Sequence, residues 1–327
     1  MSTVPTATGE EISVADLGVT LPHEHLFINL MRERRGDGLV TDETLLVEEL
    51  SVFANQGGGT IWDLTTAELT PGSTLAADPL FTATFPGQTR AADNVLAVAR
   101  VSRATGVNVV LGTGHYRDPF IDRALFDRLT IDDVADHIVR DLTEGIPGTD
   151  ARAGIIGEIG ADQWFVSATE ERSFRAAARA SRRTNALLYT HAARWPVGHA
   201  QLDILSHEGV NPTRVVVGHV DTVADPDYAL SLIERGVTVG FDTINTAAPS
   251  AVDFRVTQIV KLIRAGHLER ILLSHDVCLT SHLRASGGNG FGFILDGFRA
   301  ALSTAGVTGE EFDTMTVTNP ARLLTGS

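Results

Sequence analysis

The sequence contains a single cysteine, Cys278, which excludes an internal disulfide framework and a cysteine-rich zinc site. No apolar run approaches the ~20 residues that a bilayer span needs, so no membrane crossing is expected. The opening stretch MSTVPTATGEEISVADLG has neither a basic segment nor an apolar one behind it. No secretory signal is therefore expected, and the cytoplasm is the expected compartment. Basic residues are also in short supply: 26 Lys and Arg face 41 Asp and Glu, a net charge of −15. Such a surface repels phosphate backbones and anionic lipid, so neither nucleic acid nor membrane is an expected partner. The 327 residues show no linker, low-complexity block or short repeat, and we expect one domain over 1–327.

What is present is a regular alternation. Short apolar runs at 18–27, 60–66, 108–116, 154–160, 186–192, 214–221, 238–244 and 270–277 read as strands. Between and after them, 43–55, 90–105, 131–144, 168–183, 198–208, 226–235, 253–265 and 291–305 have helical spacing. The strands are almost continuously apolar, as strands covered on both faces should be. Gly106, Gly209, Gly236 and Gly266 each follow a helix where a left-handed cap is wanted. Eight strand–helix units predict an α/β fold, a (β/α)8 TIM barrel. A doubly wound open sheet is the competing architecture. It usually carries a glycine-rich phosphate turn after the first strand, and LPHEHLFIN is nothing like one.

Active sites of such barrels lie at the C-terminal ends of the strands. There the apolar runs end in Pro22-His23-Glu24-His25, Gly157-Glu158, Thr190-His191, Gly218-His219 and His275-Asp276. His23 and His25, two apart on a strand, point the same way, and Glu24 points to the other side. One histidine at a strand end is more often a satisfied core residue. Four imidazoles and two carboxylates at one mouth instead suit Zn2+, with Mn2+ or Co2+ as alternatives. Six ligands exceed one open tetrahedral site and match two divalent ions per chain with a shared carboxylate, about 3.5–4 Å apart with a hydroxide between them. His137, His199, His207 and His267 fall in helices or helix ends and are expected at the surface. His275 should face away from Asp276, His282 lies in the loop after the eighth strand, and Cys278 reads as packing.

The set PHEH, GIIGEIG, YTHAA, VVVGHVD and LLSHD, with GFDT, SHLR and the terminal Asn319-Pro320, resembles the phosphotriesterase-like branch of the amidohydrolase superfamily from about Gly18 to Leu324. The resemblance implies that His23, His25 and Asp276 hold one metal and His191 and His219 the other, with the fourth-strand residue and a hydroxide between them. Asp276 would also accept the proton of the attacking hydroxide. Better-known members bridge their metals with a carboxylated lysine. Here Glu158 stands one residue along from that place, as in the phosphotriesterase homology subgroup, and assembly would then need no bicarbonate. Thr243 after Asp242 replaces the basic residue that phosphotriesterases use in a proton relay. Tyr116 resembles the tyrosine that lactonases of the family aim at the metals, and homodimers are common in the family.

The expected function is hydrolysis of a carboxylic ester, a lactone first, with Asp276 as base. Amide or phosphoester hydrolysis by the same centre is the enzymatic alternative, and a non-catalytic small-molecule binding barrel is the alternative of a different class. Substrate contacts are expected from Tyr116, Arg194, Trp195, Phe241, His282 and Arg284, with 285–292 as a mobile loop over the mouth. Trp62, Phe165 and Phe291 join Trp195 and Phe241 as hints of a partly apolar pocket.

Overall fold

A computed structural model describes residues 2–70 and 89–326. Eight strands form one parallel sheet in sequential order: β1 Val19–Glu24, β2 Gly58–Asp63, β3 Asn108–Thr113, β4 Ile155–Gly160, β5 Leu187–His191, β6 Val215–Gly218, β7 Thr238–Phe241 and β8 Ile271–Leu273. A helix follows each strand: α1 Glu43–Asn55, α2 Ala92–Thr105, α3 Ile131–Thr143, α4 Ala168–Thr184, α5 Gly198–His207, α6 Tyr228–Ile233, α7 Pro249–Arg264 and α8 Gly297–Thr304. The sheet curls into the expected (β/α)8 barrel. Its two edges meet where the Asp276 amide donates to the His23 carbonyl at 3.2 Å and the His23 amide donates to Ser274 Oγ at 3.0 Å.

Each strand buries both faces, but in two separate cores. Trp62, Val110, Ile155, Leu187, Tyr189, Val216 and Leu272 fill the barrel interior. Their neighbours Ile61, Val109, Leu111, Ile156, Leu188, Val217 and Leu273 pack outward against the helices. The chain ends close the floor. A short antiparallel pair, Thr3–Pro5 with Glu11–Ser13, and the helix Asn319–Thr325 bring Val4 and Leu323 against the interior core. Neither end was anticipated, because each is only a few residues long and gains its stability from the barrel it plugs.

The stretch expected to be a mobile loop is different in kind. Gly290–Leu295 is a 3-10 turn that buries Phe291 and Ile294 in the outer core, and the helix expected from 291 begins only at Gly297. Within the described residues, no helix is long and apolar enough to cross a membrane.

Candidate metal centre

Local backbone irregularities turn the polar strand ends inward. On β4, Ile155 points into the barrel and Ile156 outward, so simple alternation would send Glu158 outward. A register shift between Ile156 and Ile159 reverses the phase, leaving Ile159 in the outer core and Glu158 inside. Gly157 at φ +142° makes this bend, and a Cβ there would lie 2.5 Å from the Tyr189 carbonyl oxygen. A second shift between Leu21 and Glu24 does the same for His23 on β1 and for His25 just past its end. His219 and Asp276, just past β6 and β8, take left-handed conformations at φ 58° and 54°. Such non-glycine geometry costs of order 1–3 kcal/mol and persists where surrounding bonds over-determine it. Here the His219 amide is held by Asp242 Oδ1 at 2.7 Å, and that of Asp276 by the His23 carbonyl.

The six side chains converge. Glu158 Oε2 lies 3.2 Å from His23 Nε2, 2.9 Å from His191 Nδ1 and 3.3 Å from His219 Nε2, and Oε1 lies 3.5 Å from His25 Nε2. Asp276 Oδ1 is 3.3 Å from His25 Nε2 and 3.9 Å from His23 Nε2. Two groups with metal-ligating spacing, His23–His25–Glu158 and Glu158–His191–His219, share the glutamate.

Behind the cluster is a layer that fixes the imidazoles. Asp242 accepts from His219 Nδ1 through Oδ1 at 2.9 Å, and from His23 Nδ1 and the Tyr189 hydroxyl through Oδ2 at 2.9 and 2.6 Å. His25 Nδ1 meets Thr65 Oγ1 at 2.9 Å. Three histidines thus present Nε2 to the centre, whereas His191 presents Nδ1. Gly240 leaves room for this layer, since a Cβ there would lie 2.3 Å from the Tyr189 hydroxyl.

The charge balance fits a cation. His23 Nε2 is buried without a hydrogen bond, and His191 Nδ1 and His219 Nε2 are only 2.8 Å apart. Burial opposes ionisation of Glu158, but the neighbouring His191 and His23 hold its carboxyl well below the usual range. Burial acts likewise on Asp276, whose hydrogen bond with His25 and the nearby His219 and His23 charges keep it low. Burial would lower His23, yet Glu158 and Asp242 raise it to about 10, whereas burial pulls His191 down to about 4. A compact, buried set of ionised carboxylates asks for positive charge at its centre, and neutral imidazoles can share in holding it.

A cavity of about 210 Å3 opens over the cluster, with Tyr116, His191, Arg194, His219, Asp276 and His282 in its wall. Tyr116 is buried, with its hydroxyl 3.3 Å from His191 Nδ1, and burial keeps the phenol protonated. Three expected substrate contacts lie elsewhere. Phe241 shares the phase of Val239 and packs outward under the helices, Trp195 is 44% exposed outside the cavity wall, and Arg284 is exposed beyond it. Among the residues read as pocket aromatics, Trp62 fills the barrel interior, Phe291 the outer core, and Phe165 a separate surface hollow. His275 faces away from the cluster as expected, its Nδ1 bonded to Glu24. Of the four histidines expected at the surface only His207 is exposed; His137, His199 and His267 are half-buried, His199 with Nε2 3.0 Å from Ser231 Oγ.

Some participants were overlooked. Tyr189 stands two residues before His191 and so shares its face, a signal available from alternation alone. His115, paired with Glu68 at 2.6 Å behind Tyr116, carried no comparable signal, because Glu68 is distant in sequence.

The model of the Phosphotriesterase family matches residues 2–324. The chain belongs to the phosphotriesterase family. It is 31% identical over 306 residues to a phosphotriesterase homology protein of Escherichia coli, covering 93% of this chain and 97% of the relative. A crystal structure of the Escherichia coli protein, with phosphate in its active site, superimposes with a TM-score of 0.83 over 94% of this chain and 99% of that one. An aryldialkylphosphatase of Saccharolobus solfataricus is 31% identical over 283 residues, 85% of this chain and 82% of the relative. A lactonase of Listeria monocytogenes superimposes with a TM-score of 0.83 at 25% identity, each chain fully covered. Against the lysine-bridged members of this phosphotriesterase family, the chain offers no substitute: its single lysine, Lys261, sits on α7 paired with Asp227.

Proposed function

We propose that the chain is a binuclear metal-dependent hydrolase of carboxylic esters, lactones first. The observation that carries this reading is the sharing of Glu158 by two ligand groups beneath one open cavity. His23, His25 and Asp276 would hold one cation, His191 and His219 the other, and Glu158 both. Divalent ions there, Zn2+ before Mn2+ or Co2+, would supply a water of lowered pKa and polarise the substrate carbonyl.

The protein groups do the rest. Asp276, ionised and partly open to the cavity at 18% exposure, accepts the proton of the attacking water. Tyr116, protonated and aimed at His191, donates to the developing oxyanion. Asp242 fixes the tautomers of His23 and His219 and so keeps their Nε2 lone pairs facing the centre. The family membership and the similarity to a lactonase support the ester reading. The position after Asp242 carries no basic side chain of its own: the Thr243 hydroxyl donates to Asp221 Oδ2 at 2.6 Å and accepts from Arg255 at 2.8 Å, the guanidinium that also pairs with Asp221.

The test combines metal analysis with a pH-indicator screen of lactones, aryl esters, N-acyl amino acids and organophosphate triesters. About two divalent ions per chain, with lactone turnover lost on chelation, is the expected result. One ion or none with no turnover overturns the mechanism. A metal-dependent preference for amides or triesters overturns the ester assignment alone.

A further inference from the structure

Asp221 is not one of the six convergent side chains, yet its carboxylate is completely buried. It lies two residues after His219, in the short 3-10 turn Val220–Thr222. Its Oδ2 accepts from Arg255 Nε and from the Thr243 hydroxyl, both at 2.6 Å, and from the Thr243 amide at 3.3 Å. Arg255, reaching from α7, also donates through Nη2 to the Thr243 carbonyl and hydroxyl, both at 2.8 Å. The Arg255 side chain is itself 11% exposed, and among the described residues it is the one cation paired with Asp221.

The two segments joined in this way carry His219 and Asp242. His219, left-handed at φ 58°, is held at its amide by Asp242 Oδ1. Its carbonyl accepts from the Thr222 amide and hydroxyl at 3.0 and 2.7 Å. Each hold has a neighbour in the latch, since Asp221 precedes Thr222 and Thr243 follows Asp242. The paired residues of β6 and β7 end at Val217 and Val239, short of both segments. Beyond that point side chains join the two ends: Asp242 to His219, and Arg255 to Asp221 and Thr243.

We propose that Arg255 is a positioning residue of the metal centre. It locks the ends of β6 and β7 in the arrangement that sets His219 Nε2 3.3 Å from Glu158 Oε2. This rests on the binuclear reading above and adds a residue that touches neither metal ligand nor substrate. The planar fork of a guanidinium serves Asp221 and Thr243 at once, whereas a lysine ammonium is a point donor on a flexible stem. A buried ion pair often adds no net stability over apolar side chains of the same volume, so its geometric role can be separated from folding. Without the latch, His219 relaxes from its strained conformation, and the ion held with His191 and Glu158 binds more weakly. His23, His25 and Asp276 stand at the ends of β1 and β8, outside the latch.

The test titrates Zn2+ into the apoprotein against a chelating indicator of known affinity and records the visible absorption of the Co2+-loaded protein in parallel. Wild type is expected to bind two ions. Arg255→Ala should weaken the second equivalent about tenfold, with the first changed less than about twofold and the Co2+ bands altered, and Arg255→Lys should recover part of the loss. Because Arg255→Ala strands the Asp221 charge and can unfold the protein, Asp221→Leu with Arg255→Met removes both charges at similar volume. With a wild-type melting temperature, this double variant should show the same weakened second equivalent, which a merely structural pair would leave unchanged. Wild-type affinity for both ions in the folded variants overturns the proposal and leaves the binuclear centre standing. Equal weakening of both ions in step with a lowered melting temperature marks general loosening and overturns it as well. Fewer than two ions on wild type overturn the binuclear reading, and the proposal with it.

Discussion

Asp242→Asn is the most demanding perturbation of the proposed centre, because it is nearly isosteric and touches no substrate. Asp242 Oδ1 accepts from the His219 amide and Nδ1, and Oδ2 accepts from Tyr189 and from His23 Nδ1. Asparagine keeps one acceptor oxygen. The His219 backbone N–H can only donate, so the carbonyl must stay at the Oδ1 position and the amide NH2 takes the place of Oδ2. The Tyr189 hydroxyl can rotate and accept from it. His23 can do so only by moving its proton from Nδ1 to Nε2, which spends the lone pair that faces Glu158 and Asp276. The alternative is a buried donor facing a donor, losing a charge-assisted hydrogen bond of about 1.5–3 kcal/mol. Either way, affinity for divalent ions should drop about 10–100-fold. Competition for Zn2+ against a chelator of known affinity measures this directly, with far-UV circular dichroism confirming the fold. A folded Asp242→Asn protein with wild-type Zn2+ affinity would refute the argument that Asp242 sets the tautomer.

The other predictions address separate links. Asp276→Asn should largely abolish turnover in a folded protein, and near-wild-type rates would remove Asp276 as the base. Apoprotein reloaded with Zn2+ in bicarbonate-free buffer should recover full activity, since Glu158 and not a carboxylated lysine joins the two ligand groups; dependence on added bicarbonate would contradict that. Glu24→Gln should destabilise the fold by about 1–3 kcal/mol in urea, because Oε1 accepts from Ser274 and His275 while Oε2 accepts from the Val277 amide, and an NH2 there opposes that N–H. Unchanged stability would mean that the contacts joining β8 to β1 do not depend on it. Asp141 is buried beside Thr113, and burial pushes its carboxyl up to about 6. A raised folded pKa means that the native state holds the proton more tightly. Its stabilisation is complete below the unfolded pKa and is lost as pH rises through about 6. The stability of wild type relative to Asp141→Asn should therefore fall by about 3 kcal/mol between about pH 4 and pH 7, and a flat difference in paired denaturation series would sink this account.

The eight strands and their helices were legible because each strand is apolar on both faces and several helices end at a glycine that only a left-handed cap explains. The same double burial hides the phase. Val239 and Phe241 carry no mark that says whether they face the helices or the barrel interior, and Phe241 was expected at the pocket when it packs behind it. His23, Glu158, His191, His219 and Asp276 could be picked out as polar residues closing apolar runs. Their common target could not, because Glu158 and the β1 pair reach it only through register shifts, and His219 and Asp276 only through left-handed backbone. The sequence by itself determined the barrel and the types of the candidate ligands, since periodicity and strand-end chemistry are local properties of the chain. Only the tertiary structure decided that Asp242, Tyr189 and Thr65 stand behind the imidazoles. Those relations join residues from different strands and loops, and no local rule of the backbone couples them.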